Sequence, residues 1–300
     1  MAEPAVAIVT AAYRAERELQ ETIDSVLAQT VVDWEWVIVD DGSDDHTRAI
    51  AEATDDPRIR VRTIEHTALP AIGRNLAIEQ TRGRFVALLD ADDVWYPRKL
   101  ELQVAHLDAH PDVGLVHSAA DKLVGGERVS AEPLAPSAAD LVRENSVVSS
   151  SVVVRRELLV AHGAFDPDPE LWGSLDYELW LRLLPHARFA YLPEPLLLYR
   201  VHERQMSAQR ERMDAGALRA LEKARERSPA PRPDLARSIG ILRCVLRRPG
   251  RGRRELLEAL RRDPTDALAW SWLARAVVGP GTVHRVGGLL RRQRRPTTSS

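Results

Sequence analysis

The chain has 300 residues and a mass of 33.5 kDa, enough for about two domains at roughly 150 residues each. With 44% hydrophobic and 29% charged residues it reads as a soluble globular protein; its single cysteine, Cys244, excludes a disulfide framework or a cysteine-rich zinc module, and no run of about 18 uncharged apolar residues could span a bilayer. The net charge of -2 hides a division: residues 1–200 hold 19 Lys and Arg against 34 Asp and Glu, a net of -15, whereas residues 201–300 hold 23 against 10, a net of +13.

Val6–Val9 is a short apolar strand after an N-terminus, Met1-Ala2-Glu3-Pro4, that lacks the basic-then-apolar order of a secretory signal. Leu19, Ile23, Val26 and Leu27 then form one stripe of a helix over residues 16–29. Trp36–Val39 is a second buried strand, stopped by Asp40-Asp41-Gly42-Ser43. A short helix over 46–53, a strand over 59–64 and a helix over 70–80 follow, and Phe85–Leu89 is a third continuous apolar strand. Pro97 opens a helix carrying Leu100, Val104 and Leu107. Continuous apolar strands alternating with amphipathic helices predict a mostly parallel α/β sheet covered on both faces.

Val113–His117 is a further strand, and the Gly, Pro and Ala-rich stretch 124–139 reads as a mobile loop. Ser149–Val154 and Phe189–Leu192 are strand candidates on either side of a helix over 176–184. Beyond about Ser207 the pattern is helical, at 218–226, 235–246, 254–261 and 267–277, with Ser228–Pro233 as a connection and Arg291–Ser300 as a disordered tail. Residues 255–276 resemble one tetratricopeptide hairpin, without a second copy.

Two acidic clusters follow buried strands directly: Asp40-Asp41, and Asp90-Ala91-Asp92-Asp93. Ligands of an open parallel sheet bind at the carboxyl ends of its strands, so both clusters are expected in one crevice. In extended backbone Asp90 and Asp92 point to the same side. Paired carboxylates suit a hard cation such as Mg²⁺ or Mn²⁺, which also takes substrate phosphates. Loop and helix capping is the competing account of either cluster alone.

Four ordered blocks carry a resemblance. Residues 5–45 run from Ala-Val-Ala-Ile-Val-Thr-Ala-Ala-Tyr to Val-Ile-Val-Asp-Asp-Gly-Ser-Asp-Asp, and residues 73–95 join Gly-Arg-Asn-Leu-Ala to Leu-Asp-Ala-Asp-Asp-Val-Trp. Gly163-Ala-Phe-Asp166 goes with Asp176-Tyr-Glu-Leu-Trp-Leu-Arg-Leu183, and Tyr199-Arg-Val-His202 closes the series. Together they resemble the family 2 glycosyltransferases over about residues 5–207.

The resemblance implies a GT-A fold, Rossmann-like and mostly parallel, with a nucleotide-binding half over about 1–117 and an acceptor half over about 118–207. A basic helical extension, 208–300, follows. It implies inverting, hexosyltransferase-type transfer of a sugar from a UDP-, GDP- or dTDP-sugar to a hydroxyl of a glycan, lipid-linked or small-molecule acceptor, with Mg²⁺ or Mn²⁺ and a place in cell-envelope polysaccharide synthesis. On the matching positions, Ala11 and Tyr13 lie against the base, Asp41 with Asp40 beside it bonds the base edge, and Arg74 and Asn75 shape the nucleotide pocket. Asp90 faces the ribose, Asp92 of the DxD motif takes the metal, Asp93 supports it, and His202 reaches the metal or diphosphate. His202 also reads as an ordinary surface histidine. Arg200 and Arg204 suit phosphate.

Single displacement needs a general base. Asp176 matches the second acidic position of the family's Glu-Asp motif, with Glu178 in reserve; an N-cap role is compatible with the first. The sequence departs from the family pattern at Leu175, where Glu is usual, and at Thr10-Ala11-Ala12-Tyr13-Arg14. Trp172 reads equally as a sugar platform or as core.

Other classes lack their signatures. A phosphoacceptor receiver needs a lysine after a late strand, and Lys99, Lys122 and Lys223 do not stand there. A dinucleotide oxidoreductase or a sugar nucleotidyltransferase needs a glycine-rich loop after the first strand, and Thr10–Tyr13 has no glycine. A non-catalytic binder of nucleotide-sugar or of an anionic partner is the remaining alternative. Beyond Arg210 the only aromatics are Trp270 and Trp272, so nucleic acid is not expected. The basic third reads either as a solvated face or as a surface for anionic lipid at the inner face of the membrane.

Overall fold

The computed structural model describes residues 4–130, 138–202 and 205–278. Arg204 and the expected disordered tail lie outside them. The chain forms two compact units, residues 1–216 and 217–300.

The first unit is built on three strands whose residues are apolar on both faces. β1 (Val6–Ala12) pairs in parallel with β2 (Trp34–Asp40) and with β4 (Phe85–Leu88), and β2 pairs in parallel with β3 (Ile59–Thr63). On one face Val6, Ile8, Trp36 and Ile38 share a core with Leu19, Ile23 and Val26 of helix α1 (Leu19–Leu27). Leu27, expected on that stripe, is 41% exposed. At 100° per residue the stripe centres on Ile23, Val26 and the buried Thr22, which leaves Leu27 well off it. Helix α3 (Pro70–Glu79) covers the other face through Gly73, where a Cβ would stand 3.0 Å from that of Ala11. Helix α2 (Thr47–Glu52) lies between β2 and β3 in the chain.

The sheet continues past β4 with mixed pairing. Its order is β3-β2-β1-β4-β8-β6-β9-β5, where β5 is Val94–Trp95, β6 Val113–Val124, β8 Val153–Arg155 and β9 Arg188–Val201; β7 (Glu127–Val129) pairs with β6. β8 is antiparallel to β4 and β6, β5 to β9, and β7 to β6, whereas β9 runs parallel to β6. The parallel arrangement read from the sequence therefore describes the β3-β2-β1-β4 half, and the sheet as a whole is mixed. Helix α4 (Lys99–Ala109) precedes β6, while α5 (Ala138–Arg143) precedes β8 in the chain and α6 (Arg156–His162) and α7 (Leu175–Leu183) follow it.

Several boundaries differ from expectation for identifiable reasons. β1 runs on to Ala12, so Thr10–Ala12 belong to the sheet ladder and not to a loop. Ser149–Ser151 forms a 3-10 turn and only 153–155 a strand. β9 is far longer than Phe189–Leu192 because register shifts opposite Ser118–Asp121 accommodate Pro193 and Pro195. Part of the expected loop at 124–139 is the β6–β7 hairpin and the start of α5.

Helix α8 (Arg210–Arg227) crosses from the first unit to the second, which continues with α9 (Pro233–Val245), α10 (Pro249–Arg262) and α11 (Ala267–Val278). Leu256, Leu260 and Ala269 form its core with Ile241, Cys244, Trp272 and Leu273. α9 and α10 approach so closely that a Cβ on Gly252 would meet the Gly240 carbonyl oxygen at 2.7 Å.

Candidate functional site

The parallel register brings the carboxyl ends of β1, β2 and β4 level. Ala12 pairs with Asp40, the Asp41 amide donates to the Ala12 carbonyl at 2.8 Å, and the Leu89 amide donates to the Val9 carbonyl at 3.1 Å. The two acidic clusters thus leave the sheet on the same edge, as the strand-then-aspartate pattern requires.

Asp40 is 1% exposed; its Oδ1 accepts from the Ser43 amide at 3.3 Å, and its Oδ2 is buried with no hydrogen-bond partner. The Asp41 carboxylate is wrapped by the loop before α3. Oδ1 accepts from the Thr67 amide (2.8 Å) and hydroxyl (2.9 Å), and Oδ2 accepts from the Ala68 amide at 3.1 Å with His66 Nδ1 also at 3.1 Å. Tyr13, 40% exposed, stacks on the His66 ring at 4.1 Å between centroids. Sequence reasoning missed this loop, whose residues carry no motif and reach Asp41 from 25 to 27 positions away.

The Asp90–Asp93 turn is held from three directions. The Asp90 amide donates to Ser150 Oγ at 3.0 Å, and Trp95 Nε1 donates to the Ser150 carbonyl at 2.9 Å, so the serine turn before β8 supports it from behind. The Arg74 guanidinium, 10% exposed, pairs with Asp90 and lies 5.1 Å from the Phe165 ring. From the end of β9, the Arg200 amide donates to Asp93 Oδ1 (3.0 Å), Arg200 Nε donates to the Asp92 carbonyl (2.9 Å), and His202 Nε2 stands 3.0 Å from Asp92 Oδ2. Residues 200 and 202, two apart on a strand, share a face and so meet the same turn. The Arg200 guanidinium also pairs with Glu21. It therefore braces the turn against α1. Burial raises the Asp92 carboxyl above the ordinary range, with the Asp90 charge adding and His202 opposing. Burial also pushes Asp93 well up, reinforced by Asp92 and Asp90.

Asp176 enters from helix α7. Its Oδ1 accepts from the Tyr177 amide at 2.7 Å and its Oδ2 from Asn145 Nδ2 at 3.2 Å. Burial raises its carboxyl; the Arg74 cation opposes the rise and the Asp90 charge adds to it. Asp176, Arg74 and Asp90 are therefore close enough to feel one another's charge. Glu178 is fully buried and bonded to Arg182 (3.1 and 3.0 Å), which corrects its reserve role as a base. Arg182 also donates to the carbonyls of His162 (2.5 Å), Gly163 (2.6 Å) and Ala164 (2.6 Å), and Asn75 exchanges two bonds with the Phe165 backbone at 2.8 and 2.9 Å. The 162–165 loop thereby ties α3 to α7. Trp172 is half-buried with the Arg212 guanidinium 4.1 Å from its ring, so one face is occupied.

The residues fit a divalent cation. Asp92 and His202 supply an oxygen and an imidazole side by side, and His202 Nδ1 is buried without a partner among the described residues. Among the described residues no group of three or more Asp, Glu, His or Cys could hold an ion alone. Mg²⁺ commonly completes such a sphere with water and substrate phosphates, and Mn²⁺ accepts imidazole as well.

The profile of Glycosyl transferase family 2 matches residues 7–135. That segment is a family 2 glycosyltransferase domain. The family 2 segment holds β1, from Ala7, through β7 with Asp40, Asp41 and the Asp90–Asp93 turn, whereas Asp176 and Glu178 on α7 and the strand β9 lie beyond it. Over 100 residues, 33% of this chain, the protein is 41% identical to WfgD of Escherichia coli, a UDP-Glc:alpha-D-GlcNAc-diphosphoundecaprenol beta-1,3-glucosyltransferase; the match spans 40% of WfgD's length. S. aureus TarS in complex with UDP-GlcNAc superposes with a TM-score of 0.69 at 18% identity, covering 91% of this chain and 87% of TarS 1-349. The mannosyltransferase PcManGT of Pyrobaculum calidifontis, in complex with GDP-Man and Mn²⁺, superposes with a TM-score of 0.63 at 22% identity, covering 99% of this chain and 82% of PcManGT. These likenesses establish the fold as GT-A, with a helical C-terminal region.

Proposed function

We propose that the protein transfers a sugar from a nucleotide-sugar to an acceptor hydroxyl by a single inverting displacement, with Asp176 as the general base. The observation that carries the reading is the convergence of Asp176, Arg74 and the Asp90–Asp93 turn, with the Asp176 carboxyl raised by burial toward the range a base needs. As the acceptor oxygen bonds to the anomeric carbon, its proton passes to Asp176. The bond to the diphosphate oxygen breaks with its electron pair, releasing the nucleoside diphosphate. A divalent cation at Asp92 and His202 would supply Lewis-acid stabilisation of that leaving charge.

On this reading the nucleobase lies near Tyr13 and His66, the ribose near Asp90, and the acceptor between Asp176 and Trp172. Asp41 then acts on the base edge together with the 66–68 loop that holds it. UDP-sugar and lipid-diphosphate acceptor, named for WfgD, are the donor and acceptor classes proposed here, with GDP and dTDP as the donor alternatives. The 1–117 and 118–207 halves serve donor and acceptor.

Thermal melting with UDP, GDP and dTDP, each with and without Mn²⁺, tests donor and metal together. A ligand at about 100 times its Kd adds roughly 2.7 kcal/mol to the folded state. Asp92→Asn is expected to remove the Mn²⁺-dependent part, and Asp176→Asn to retain it while abolishing transfer. Transfer at near wild-type rate by Asp176→Asn would overturn the base assignment.

A further inference from the structure

The residues assigned to that chemistry all lie in the first unit, and the second holds a strongly lopsided charge. Residues 217–278 carry 15 Lys and Arg against 7 Asp and Glu, a net of +8, and the chain beyond adds Arg285, Arg291, Arg292, Arg294 and Arg295 with no carboxylate. Most of the carboxylates are already neutralised. Glu222 pairs with Arg243 at 2.8 Å, Glu255 with Arg225 at 2.6 Å and with Arg243, Asp234 with Arg232 at 2.6 Å, and Asp266 with Arg237 at 2.8 Å. Those pairs leave Arg247, Arg248, Arg251, Arg253, Arg254, Arg261 and Arg262 exposed, and none of the seven has an ion pair among the described residues.

Their placement follows from helical geometry. α10 buries Gly252, Glu255, Leu256, Ala259 and Leu260. At 100° per residue Arg254, Leu257, Glu258 and Arg261 fall on the opposite face, with Arg251, Arg253 and Arg262 flanking them, so five arginines there stand against one carboxylate. Leu257 stands in the middle of the arginines at 44% exposure, and Trp270, just beyond the α10–α11 turn, is 52% exposed with its Nε1 donating to the Pro264 carbonyl at 2.9 Å. A face that only needed solvation would gain nothing from a leucine at its centre.

We propose that the exposed face of α10 and the α9–α10 turn dock on an anionic lipid surface. The guanidinium groups meet headgroup phosphates, and Leu257 and Trp270 enter the apolar boundary beneath them, the arrangement by which amphipathic helices lie in a membrane interface. Nucleic acid is the weaker match to the same charge, because Trp270 is the single exposed aromatic among the described residues of this unit, too few to stack successive bases.

The test is co-sedimentation of the full chain with vesicles of phosphatidylglycerol and phosphatidylcholine, set against phosphatidylcholine alone. No donor or turnover is required, so it fails or succeeds apart from the transfer reaction. Near a charged membrane each basic residue contributes about 1 kcal/mol, roughly fivefold in partition. The triple variant Arg251→Gln, Arg253→Gln, Arg254→Gln is therefore expected to bind the mixed vesicles about a hundredfold more weakly. The corresponding lysine triple retains binding, and Leu257→Ser weakens it several-fold. Circular dichroism of the variants controls for folding. If the glutamine triple does not fold, a salt titration of the wild-type protein decides, since exposed charges are screened within about 3 Å at 1 M salt. Equal binding to phosphatidylcholine alone, binding that survives 1 M salt, or capture of a single-stranded oligonucleotide without vesicle binding would each overturn the proposal.

Discussion

Replacing Arg74 by methionine separates what its geometry does from what its charge does. The guanidinium is 10% exposed, pairs with Asp90 and lies 5.1 Å from the Phe165 ring. A charge-assisted hydrogen bond contributes about 1.5–3 kcal/mol, and a cation over an aromatic ring about 0.5–2 kcal/mol. Methionine keeps most of the volume, so a loss of about 3 kcal/mol is expected, roughly 6–12 °C in melting temperature for a unit of this size. The charge has a separate readout through Asp176. Burial raises the folded-state carboxyl of Asp176, so its protonated form favours folding. That contribution is fully present below the unfolded carboxyl pKa and is lost as pH rises through the folded value. Arg74 opposes the rise, so Arg74→Met moves the upper edge of the window to higher pH, and the acid limb of transfer moves with it. Urea unfolding across pH, compared with Asp176→Asn in each background, isolates the effect. Arg74→Lys should restore the window but not the full melting temperature. A window that stays where it is in Arg74→Met would refute the coupling of Arg74 to Asp176.

Three further outcomes are expected. Gly83→Ala places a Cβ 2.4 Å from the Ala7 amide nitrogen and 2.5 Å from the Val6 carbonyl carbon, where backbone cannot yield, so it should destabilise by at least about 1–3 kcal/mol in urea unfolding. Asn75→Ala leaves the Phe165 amide and carbonyl without their partners and should cost about 1–3 kcal/mol, with Mn²⁺-dependent nucleotide binding weakened in the same melting assay. Lys99 is fully buried, its amine donating to Gln103 Oε1 at 2.6 Å and lying 4.2 Å from the Trp95 ring, and burial pushes its pKa well down. The unfolded chain then holds that proton more tightly, so stability climbs with pH from the folded value toward the ordinary lysine range. Lys99→Met should flatten that slope and leave stability at pH 7 equal or higher; an unchanged slope would assign it to other groups.

β1, β2 and β4 were legible because strands buried on both faces must be apolar throughout, and α1, α3 and α4 because a helix against a sheet shows its 3.6-residue stripe. The acidic clusters were legible for the same reason, since aspartates directly after such strands can only emerge at their carboxyl ends. What the linear pattern could not carry were partners distant in the chain. β5 is two residues long and exists only because β9 pairs with it. β9 itself was obscured by Pro193 and Pro195, which its register shifts absorb. Arg200 and His202 reach the Asp92–Asp93 turn across 107 to 110 positions, and His66–Ala68 enclose Asp41 across 25 to 27. Glu178 and Asp176 look alike as acidic residues of one helix. They differ because two helical positions turn about 200°, which sends one into the Arg182 pair and the other toward Arg74. Local sequence determines which face of an element is buried; the order in which the strands assemble decides what that face meets.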